Sequence, residues 1–417
     1  MMNMTKFVVS LPPIQKKEIM MKNKKIFHIF SLMAIFMAFT LWSNAQPPKQ
    51  TFPWQGQDRE YYAYVPASYN SSDRLPVMVF LHGFDGGIDS YSSSINFQQA
   101  ADQFHWMIVL PQALAAQYSM WGMSVPVGNT WNSGIEMTIM GSPFVPNSDV
   151  DDAGFLLALV DYLGNEYTLN TDSLFFAGFS MGAFMTHRMA IEHSDRIRAV
   201  AAASGLIPVC YAESTPAQHI SIMHIHGTAD STVKPDGTAS PIPLMGEMTL
   251  GLSVDATIDY WRNANQCGAE AETITYPDTE NDGMLFSQET YTNTTDNTRV
   301  AHVTVNGGGH QWYEDGHDVQ YLTLIHDFFT GHNSYIPTDI NESSSIQDLT
   351  IYPNPAYNTI IVESPSNTQL FIHSTDGCMI ATRPLSGGNN VIDISSFSAG
   401  LYLLRTTDGQ SSSLIVK

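Results

Sequence analysis

The feature that most constrains the fold is a short apolar strand that runs through a serine flanked by two glycines into a helical pattern. The segment reads Phe-Phe-Ala-Gly-Phe-Ser-Met-Gly-Ala and covers residues 175–183. Gly178 and Gly182 leave space on both sides of the serine, as a tight strand-to-helix turn requires. Such a turn pushes the hydroxyl of Ser180 out over a sheet. The pattern therefore predicts an α/β fold with a buried strand ending at this serine.

The rest of the segment 46–331 alternates between strand-like and helical patterns. Because several strand-like runs are apolar on both faces, we expect central strands of a mostly parallel, doubly wound sheet with ligands at its carboxyl edge. Asp151 or Asp152 is expected to cap the helix that begins there. The predicted strands cover residues 61–65, 77–82, 106–110, 174–177, 199–203, 221–226 and 301–305, and the predicted helices cover 96–104, 152–162, 181–192, 254–263 and 319–329.

We interpret Ser180 as a candidate nucleophile, with an ordinary helix cap as the alternative. A hydroxyl needs a base to accept its proton and an acid to orient that base, in the chain order Ser, Asp, His. Asp230 follows the predicted strand at 221–226 and is favoured as the acid. Its rival Asp236 stands in a Pro-Asp-Gly segment, which is typical of a surface turn.

The candidate base is His310, which follows the last predicted strand in a Gly-Gly-Gly-His-Gln-Trp segment. Three glycines let the backbone approach closely and hold an imidazole on a loop, whereas His317 and His326 fall in or before a polar helix start. His224 and His226 alternate along one strand, but no Asp, Glu or Cys completes a ligand set at recognisable spacing. We therefore expect no metal and no other cofactor.

Acyl transfer also needs N–H donors for a developing oxyanion. Met181 follows the candidate nucleophile and supplies the first donor. The second is expected in the glycine-rich loop at 82–87, where we favour the N–H of Phe84, while His82 is expected to brace the loop. Aromatic residues near these loops could line an acyl pocket for a hydroxycinnamoyl group or a hydrophobic polymer, although they are as often plain core. They are Trp121, Trp131, Phe179 and Trp312.

Four motifs stand in a characteristic order: Leu-His-Gly at 81–83, Gly-Phe-Ser-Met-Gly at 178–182, His-Gly-Thr-Ala-Asp at 226–230 and Gly-His-Gln-Trp at 309–312. Together with Trp131-Asn132 and the segment 151–156, they resemble the polyhydroxybutyrate depolymerase and feruloyl esterase branch of the α/β-hydrolases. The resemblance covers roughly residues 58–330.

This resemblance implies an α/β-hydrolase fold with Ser180, Asp230 and His310 as a catalytic triad. It leaves the substrate open, because the branch is known for acetyl-xylan, feruloyl and polyester hydrolysis alike. A cysteine-rich segment that often follows Trp-Asn in such enzymes is missing, and Ser-Gly-Ile-Glu stands at 133–136 instead.

The start of the chain resembles an export signal. Three lysines at 22, 24 and 25 precede an apolar run at 26–42, and Ser-Asn-Ala follows at 43–45. This order predicts a secretory signal peptide cleaved between Ala45 and Gln46. The alternative is a membrane anchor, for which the run is marginal in length. Two methionines directly before the lysines are consistent with an overcalled start over residues 1–19.

The chain is acidic, with 18 Lys and Arg against 40 Asp and Glu and a net charge of −22. Cleavage of the signal peptide removes six lysines and one glutamate, which leaves a net charge of −27. This balance argues against nucleic acid as a partner and favours neutral substrates over anionic ones.

The last 70 or so residues are predicted to form a separate domain at 347–417, after a polar linker at 332–346. Short alternating segments at 349–352, 359–362, 370–373, 391–394 and 401–406 favour a small all-β sandwich. Tyr-Pro-Asn-Pro at 352–355, Gly-Leu-Tyr at 400–402 and the terminal Ile-Val-Lys resemble the C-terminal sorting domain of type IX secretion cargo. The resemblance implies recognition by the type IX secretion machinery, membrane contact only during export, and removal of the tail. A carbohydrate- or polymer-binding module is the alternative, although this segment contains no Trp.

We therefore predict a serine carboxylic-ester hydrolase that is secreted or held at the cell surface and acts on aromatic or acetyl esters of plant polysaccharides. The alternatives are a polyester depolymerase, a peptidase of the same fold and a non-catalytic surface-binding protein. A peptidase would usually add a propeller or an acidic amine-binding pair, and neither is visible in the sequence.

Three cysteines allow one disulfide at most, and Cys210 and Cys267 could pair in an oxidising exterior.

Overall fold

The computed structural model describes residues 46–120, 122–238, 250–331, 349–374, 379–406 and 410–417. The described residues form two compact units, the first within 46–331 and the second within 349–417. The predicted signal peptide, the linker at 332–346, Trp121 and Cys378 lie outside the described residues. Among the helices that the structure describes, none has the length and apolar character needed to cross a membrane.

The first unit combines strands and helices in alternation. Its strands are β1 (Gln50–Trp54), β2 (Gln57–Tyr64), β3 (Leu75–Leu81), β4 (Met107–Pro111), β5 (Ala115–Met120), β6 (Met123–Asn129), β7 (Met137–Ile139), β8 (Ser142–Phe144), β9 (Leu169–Phe179), β10 (Ala199–Ala203), β11 (Ser221–Gly227), β12 (Ala271–Thr275), β13 (Leu285–Thr292) and β14 (Arg299–Asn306). Its helices are α1 (Ile88–Ser94), α2 (Phe97–Phe104), α3 (Asp152–Leu163), α4 (Met181–Glu192), α5 (Val254–Ala264) and α6 (Tyr321–Thr330), with a 3₁₀ turn at Val209–Tyr211.

A ten-stranded sheet organises this unit in the order β1-β2-β4-β3-β9-β10-β11-β14-β13-β12. The run from β4 to β14 is parallel, and the flanking pairs are antiparallel. Hairpins β5–β6 and β7–β8 form two separate small sheets. The prediction of a mostly parallel, doubly wound sheet is confirmed.

The central strands are apolar on both faces because helices cover both faces. Along β9, Phe176 packs into a core with residues of α3, α4 and α5. Its neighbour Phe175 points to the opposite face and packs with residues of α1, α2 and α6. Adjacent residues of a strand alternate between the two faces, so a strand buried on both sides has no polar alternation.

The parallel register brings three strand ends to one edge of the sheet. Phe179, the last residue of β9, pairs with Ala203 of β10, which in turn pairs with Ile225 of β11. Further along, Gly227 at the end of β11 pairs with Val305 of β14. The loops that follow β9, β11 and β14 therefore leave the sheet at the same edge.

The predicted central strands and helices are present within a few residues, but several peripheral elements were not predicted. They are β1, the edge strand β12 and its neighbour β13, the two hairpins and α1. The outer strands are only partly buried, so their sequences lack a continuous apolar run. Helix α1 reads Ile-Asp-Ser-Tyr-Ser-Ser-Ser, and serine competes with the helical backbone for hydrogen bonds.

The second unit is an all-β sandwich, as predicted. Antiparallel sheets of three and four strands contribute to one core, in which Ile360, Ile372 and Leu404 are buried. Its strands are β15 (Thr350–Tyr352), β16 (Thr359–Ser364), β17 (Thr368–Ser374), β18 (Met379–Leu385), β19 (Gly388–Asp393), β20 (Gly400–Thr406) and β21 (Ser411–Val416). Strands β18 and β21 were not predicted, because an arginine and a proline interrupt the first and three serines open the second.

The pairing of Cys210 with Cys267 that the sequence allowed is not formed. Both are free thiols. The Cys210 thiol is exposed and donates to the Gly134 carbonyl at 3.3 Å, while the Cys267 sulfur lies 3.9 Å from the Thr298 carbonyl oxygen.

Candidate active site

Ser180 occupies a strained turn between β9 and α4. Its backbone has φ 54° and ψ −122°, a conformation that residues other than glycine rarely adopt. A side chain at Gly178 would overlap the Gly182 carbonyl, and one at Gly182 would overlap the Leu81 carbonyl. The turn thus needs both glycines, for the steric reason predicted. Ser180 precedes the first helical residue but makes no side-chain capping hydrogen bond, which disfavours the helix-cap alternative.

The structure brings the hydroxyl of Ser180, the imidazole of His310 and the carboxylate of Asp230 into one chain of contacts. His310 Nε2 lies 2.9 Å from Ser180 Oγ, and His310 Nδ1 lies 2.8 Å from Asp230 Oδ2. An ionised carboxylate can only accept, so Nδ1 carries the imidazole proton and Nε2 is left to accept from the hydroxyl. The arrangement can therefore take a proton from Ser180.

Backbone contacts hold the Asp230 carboxylate in place. The side chain is buried, and Oδ1 accepts the N–H groups of Thr232 and Val233, each at 2.9 Å. Burial alone would raise the pKa of Asp230, but the hydrogen bond with His310 and the Val233 N–H hold that pKa below its ordinary value. A carboxylate in this setting stays ionised and orients the imidazole.

The rivals considered from the sequence lie elsewhere. Asp236 accepts the N–H and hydroxyl of Thr238 within its own turn. His317 Nδ1 lies 2.8 Å from Asp282 Oδ2, and His326 stacks on a phenylalanine ring of α2 at 4.1 Å. Neither imidazole contacts Ser180.

The glycine-rich loop after β3 lies directly beside the serine. A Cβ built on Gly83 would come within 3.2 Å of Ser180 Cβ. Among the described residues, the N–H of Phe84 donates to no acceptor. Met181 is the first residue of α4, so its N–H has no partner four residues earlier in the helix. Both predicted donors thus stand on the segments that flank Ser180.

Hydrogen bonds of the His82 and Trp131 side chains support this loop. The Ala113 N–H donates to His82 Nε2 at 3.0 Å, so the imidazole proton is on Nδ1, which donates to the Gly83 carbonyl at 2.7 Å. Burial lowers the pKa of His82 to about 4, which keeps the ring neutral. Trp131 Nε1–H donates to the His82 carbonyl at 3.0 Å.

Two family models match parts of the chain. Residues 68–236 match the Phospholipase/Carboxylesterase family, and residues 350–417 match the Secretion system C-terminal sorting domain. The first unit thus has the fold of the α/β-hydrolases, and the segment that matches is similar to a family of carboxylic-ester hydrolases. The second unit matches the sorting domain of type IX secretion cargo, which indicates that the protein is secreted.

Several curated esterases resemble the chain at low identity. NocK of Nocardia uniformis subsp. tsuyamanensis, named as an esterase, is 27% identical over 62% of this chain and 71% of its own length. The bifunctional acetylxylan esterase/xylanase XynS20E of Neocallimastix patriciarum is 24% identical over 61% of this chain and 31% of its own length. Feruloyl esterase B of Piromyces equi is 23% identical, with coverages of 60% and 42%. The chain thus spans less than half of the latter two relatives.

Three of the four predicted aromatic residues lie among the described residues, and they differ in how far they are buried. Phe179 and Trp312 are half-buried; the Phe179 ring centroid lies 4.9 Å from that of His310 and 6.3 Å from that of Trp312. The prediction that Trp131 contacts substrate is wrong. Its side chain is 0% exposed, and its indole N–H supports the loop after β3 through a hydrogen bond. A single sequence cannot distinguish these cases, because burial of a loop residue is set by tertiary packing.

Asp152 has a role that the sequence did not reveal. Asp151 caps α3 by accepting the Gly154 N–H at 2.8 Å, as expected for one of the two aspartates. Asp152 is instead fully buried: Oδ1 pairs with Arg59 at 2.7 Å, and Oδ2 accepts the Asn132 N–H at 2.7 Å. It thereby fixes the backbone directly after the bracing tryptophan. No sequence signal separates such a residue from a second capping carboxylate.

One cluster of potential metal ligands occurs in the part of the chain that the structure describes. Among the described residues, the carboxylates of Asp278, Asp282 and Asp318 are the one acidic, His or Cys group whose atoms lie within 4.8 Å of one another. Asp282 already pairs with an imidazole there. His226, which stands close to Asp230, donates from Nε2 to the Val233 carbonyl at 2.9 Å, which supports the turn that holds the Asp230 carboxylate.

Glu314 should make stability depend on pH. Its Oε1 accepts the Trp312 indole N–H at 2.7 Å and the Leu322 N–H at 3.0 Å, and burial raises the pKa of Glu314 to about 7. The folded state therefore holds this proton more tightly than the unfolded state. The resulting stability is present below about pH 4.5 and is lost as the pH rises through about 7.

We expect the Tm of Glu314→Gln to rise relative to wild type as the pH increases from 4.5 to 8, because the amide cannot ionise. Differential scanning calorimetry at several pH values measures this gap, which is the Tm of the variant minus the Tm of wild type. Substitution of the exposed Glu270 by Gln is the control, and its gap should stay flat. A flat gap for Glu314→Gln as well would contradict the assignment.

Proposed function

We propose that the protein is a secreted serine carboxylic-ester hydrolase in which Ser180, His310 and Asp230 form the catalytic triad. The observation that carries the proposal is the unbroken chain from a buried, backbone-anchored carboxylate through an imidazole to a hydroxyl on a strained turn. Such a chain is the arrangement that turns a poor nucleophile into an effective one. A non-catalytic surface protein has no need for it.

The chemistry proceeds in two halves. His310 Nε2 takes the Ser180 proton as Oγ bonds to the ester carbonyl carbon, and the N–H groups of Met181 and Phe84 donate to the resulting oxyanion. Collapse breaks the bond to the alcohol, which leaves with the proton from His310. A water molecule, deprotonated by the same imidazole, then attacks the acyl-enzyme, and the carboxylic acid departs as the serine is reprotonated.

We further propose aromatic or acetyl esters of plant polysaccharides as the substrates. Two relatives are named for acetylxylan and feruloyl ester hydrolysis. The half-buried rings of Phe179 and Trp312 beside His310 suit a flat acyl group. The same rings would also suit a hydrophobic polyester, which makes a polyester depolymerase the second candidate.

The same proposal divides the chain into domains. We propose a catalytic domain at 46–331, a linker at 332–346 and a sorting domain at 347–417, preceded by a cleaved signal peptide. A sorting domain at the end of the chain fits a hydrolase that meets polymeric substrates outside the cell.

A fluorophosphonate probe and a substrate panel test the proposal. The probe should add one equivalent to the Ser180 peptide, as seen by mass spectrometry, and should abolish hydrolysis of 4-nitrophenyl acetate in the same proportion. Methyl ferulate and acetylated xylan should be turned over faster than a polyhydroxybutyrate film. Labelling at another residue would contradict the triad, and a preference for the film would favour the depolymerase. Heat-denatured protein controls for adventitious labelling.

A further inference from the structure

The hydroxyl of Tyr91 lies against the loop that supplies one of the proposed oxyanion donors. Tyr91 belongs to α1, and its Oη accepts the Gly83 N–H at 3.1 Å. Gly83 directly precedes Phe84, whose N–H is the proposed donor. The Tyr91 ring centroid lies 5.6 Å from that of Phe80 in β3 and 6.5 Å from that of Phe179 in β9. The ring therefore packs near the ends of the two strands that lead to the site, and its hydroxyl contacts the residue before an oxyanion donor.

The same hydroxyl borders a small gap beside the candidate nucleophile. A Cβ built on Gly83 would lie 2.9 Å from Tyr91 Oη and 3.2 Å from Ser180 Cβ. Because one point touches both side chains, the tyrosine hydroxyl and the serine are neighbours across this gap. A separation of 2.9 Å is too short for a Cβ, so a side chain at position 83 would press on the hydroxyl. The glycine thus keeps both groups next to the place where a substrate carbonyl lies during attack.

The Tyr91 hydroxyl has a proton to donate and, among the described residues, no acceptor for it. A phenol donates one hydrogen bond and also accepts. Its oxygen accepts from Gly83, and its O–H group donates to no residue within the described ranges. Burial raises the pKa of Tyr91, which keeps the hydroxyl protonated at neutral pH. The titratable ring packed against it is His82, at 6.2 Å between centroids, and this ring is neutral because burial lowers the pKa of His82 to about 4.

The proposed reaction places negative charge in this setting. Attack by Ser180 turns the ester carbonyl oxygen into an oxyanion, which meets the N–H groups of Met181 and Phe84 on the two flanking segments. Hydrogen bonds to an ionised acceptor are roughly twice as strong as those between neutral groups. Tyrosine hydroxyls can serve as oxyanion donors beside backbone N–H groups. An unused phenol donor at this place therefore stabilises the transition state more than it stabilises the neutral ester.

We infer that the Tyr91 hydroxyl is a third oxyanion donor, which hydrogen-bonds the carbonyl oxygen as Ser180 attacks. The inference rests on the proposed function, because this oxyanion forms only if the serine attacks an ester. No proton leaves the tyrosine, since the transferred proton moves between Ser180 and His310. Tyr91 is thereby assigned as a catalytic residue in addition to its support of the Gly83 N–H.

Tyr91→Phe removes the hydroxyl and keeps the ring. We expect kcat for 4-nitrophenyl acetate hydrolysis to fall about 10²- to 10³-fold, the range for loss of one oxyanion donor, with KM within about three-fold of wild type. Tyr260→Phe is the matched control, because Tyr260 is also half-buried and its hydroxyl donates to the Ser214 carbonyl at 2.7 Å. It should keep the kcat of wild type. The thermal unfolding midpoint of each variant shows whether it is folded.

Tyr91→trifluorotyrosine separates donation from acceptance. Fluorine on the ring lowers the pKa of a phenol, which makes the protonated hydroxyl a stronger donor and a weaker acceptor. If the hydroxyl donates to the oxyanion, kcat at a pH where the phenol is protonated should equal or exceed that of wild type. A phenolate cannot donate, so kcat should fall to the level of Tyr91→Phe once the phenol ionises. Phenolate absorbance marks that pH, and Tyr260→trifluorotyrosine, whose pH profile should follow wild type, is the control.

The opposite pattern would overturn the inference. A hydroxyl that only accepts from Gly83 would hold the loop less well when fluorinated and protonated, and better as a phenolate, so kcat would fall first and recover on ionisation. Ser180→Ala is assayed in parallel. If wild type hydrolyses 4-nitrophenyl acetate no faster than Ser180→Ala, the proposed function fails. If wild type is faster but Tyr91→Phe matches it, the esterase stands and the role of Tyr91 is refuted.

Discussion

Replacing Ser180 with alanine is expected to lower kcat for ester hydrolysis by about 10⁴- to 10⁶-fold and to leave the fold unchanged. The substitution removes the one oxygen that lies 2.9 Å from His310 Nε2. Stability should be preserved because the hydroxyl makes no capping hydrogen bond to α4, and alanine meets the positive φ no worse than serine does.

Hydrolysis of 4-nitrophenyl acetate and the thermal unfolding midpoint measure the two halves of this expectation. Ser204→Ala is a matched control, since Ser204 also has a positive φ, at 53°, and follows the neighbouring strand β10. It should keep kcat within about three-fold, as a substitution outside the reacting groups does. A Ser180→Ala protein that retains a tenth of the activity would refute the assignment of the nucleophile.

The strained turn could be predicted from the sequence because its signal is local. Gly178 and Gly182 stand two residues on either side of Ser180: Gly178 faces the Gly182 carbonyl within the turn itself, and Gly182 faces the Leu81 carbonyl of the neighbouring strand β3. Asp230 and His310 could be placed near the serine for a related reason. Each follows a parallel strand, and the carboxyl ends of parallel strands share one edge.

Features that depend on tertiary packing could not be predicted. Trp131 stands in a loop and is an aromatic residue of the type that lines pockets, yet it is buried under the loop after β3. Asp152 follows a capping aspartate and has the sequence context of a first-turn acid, yet it pairs with Arg59 inside the core. In both cases the deciding partner is more than 40 residues away in the chain. A local pattern carries no information on such a contact.

Replacing Asp230 with asparagine is expected to lower kcat/KM by about 10⁴-fold while keeping the overall structure. The backbone decides how the new amide must lie. The N–H groups of Thr232 and Val233 both point at Oδ1, so the amide oxygen has to occupy that position. The amide NH₂ then faces His310 Nδ1, where the carboxylate Oδ2 lies in the wild type. A donor there forces the imidazole proton onto Nε2, which can no longer accept from Ser180.

Nitrogen-15 NMR of the imidazole, recorded beside the kinetics, separates this cause from simple misfolding. Wild type should carry its proton on Nδ1 and the Asp230→Asn variant on Nε2, with equal unfolding midpoints. Asp236→Asn makes the same chemical change in the turn that rivals Asp230 in the sequence, where the Asp236 carboxylate accepts hydrogen bonds from Thr238. Its activity should be unchanged, because that turn has no connection to the imidazole. If Asp230→Asn kept the Nδ1 tautomer, or if both variants lost activity equally, the carboxylate that orients His310 would have to be sought elsewhere.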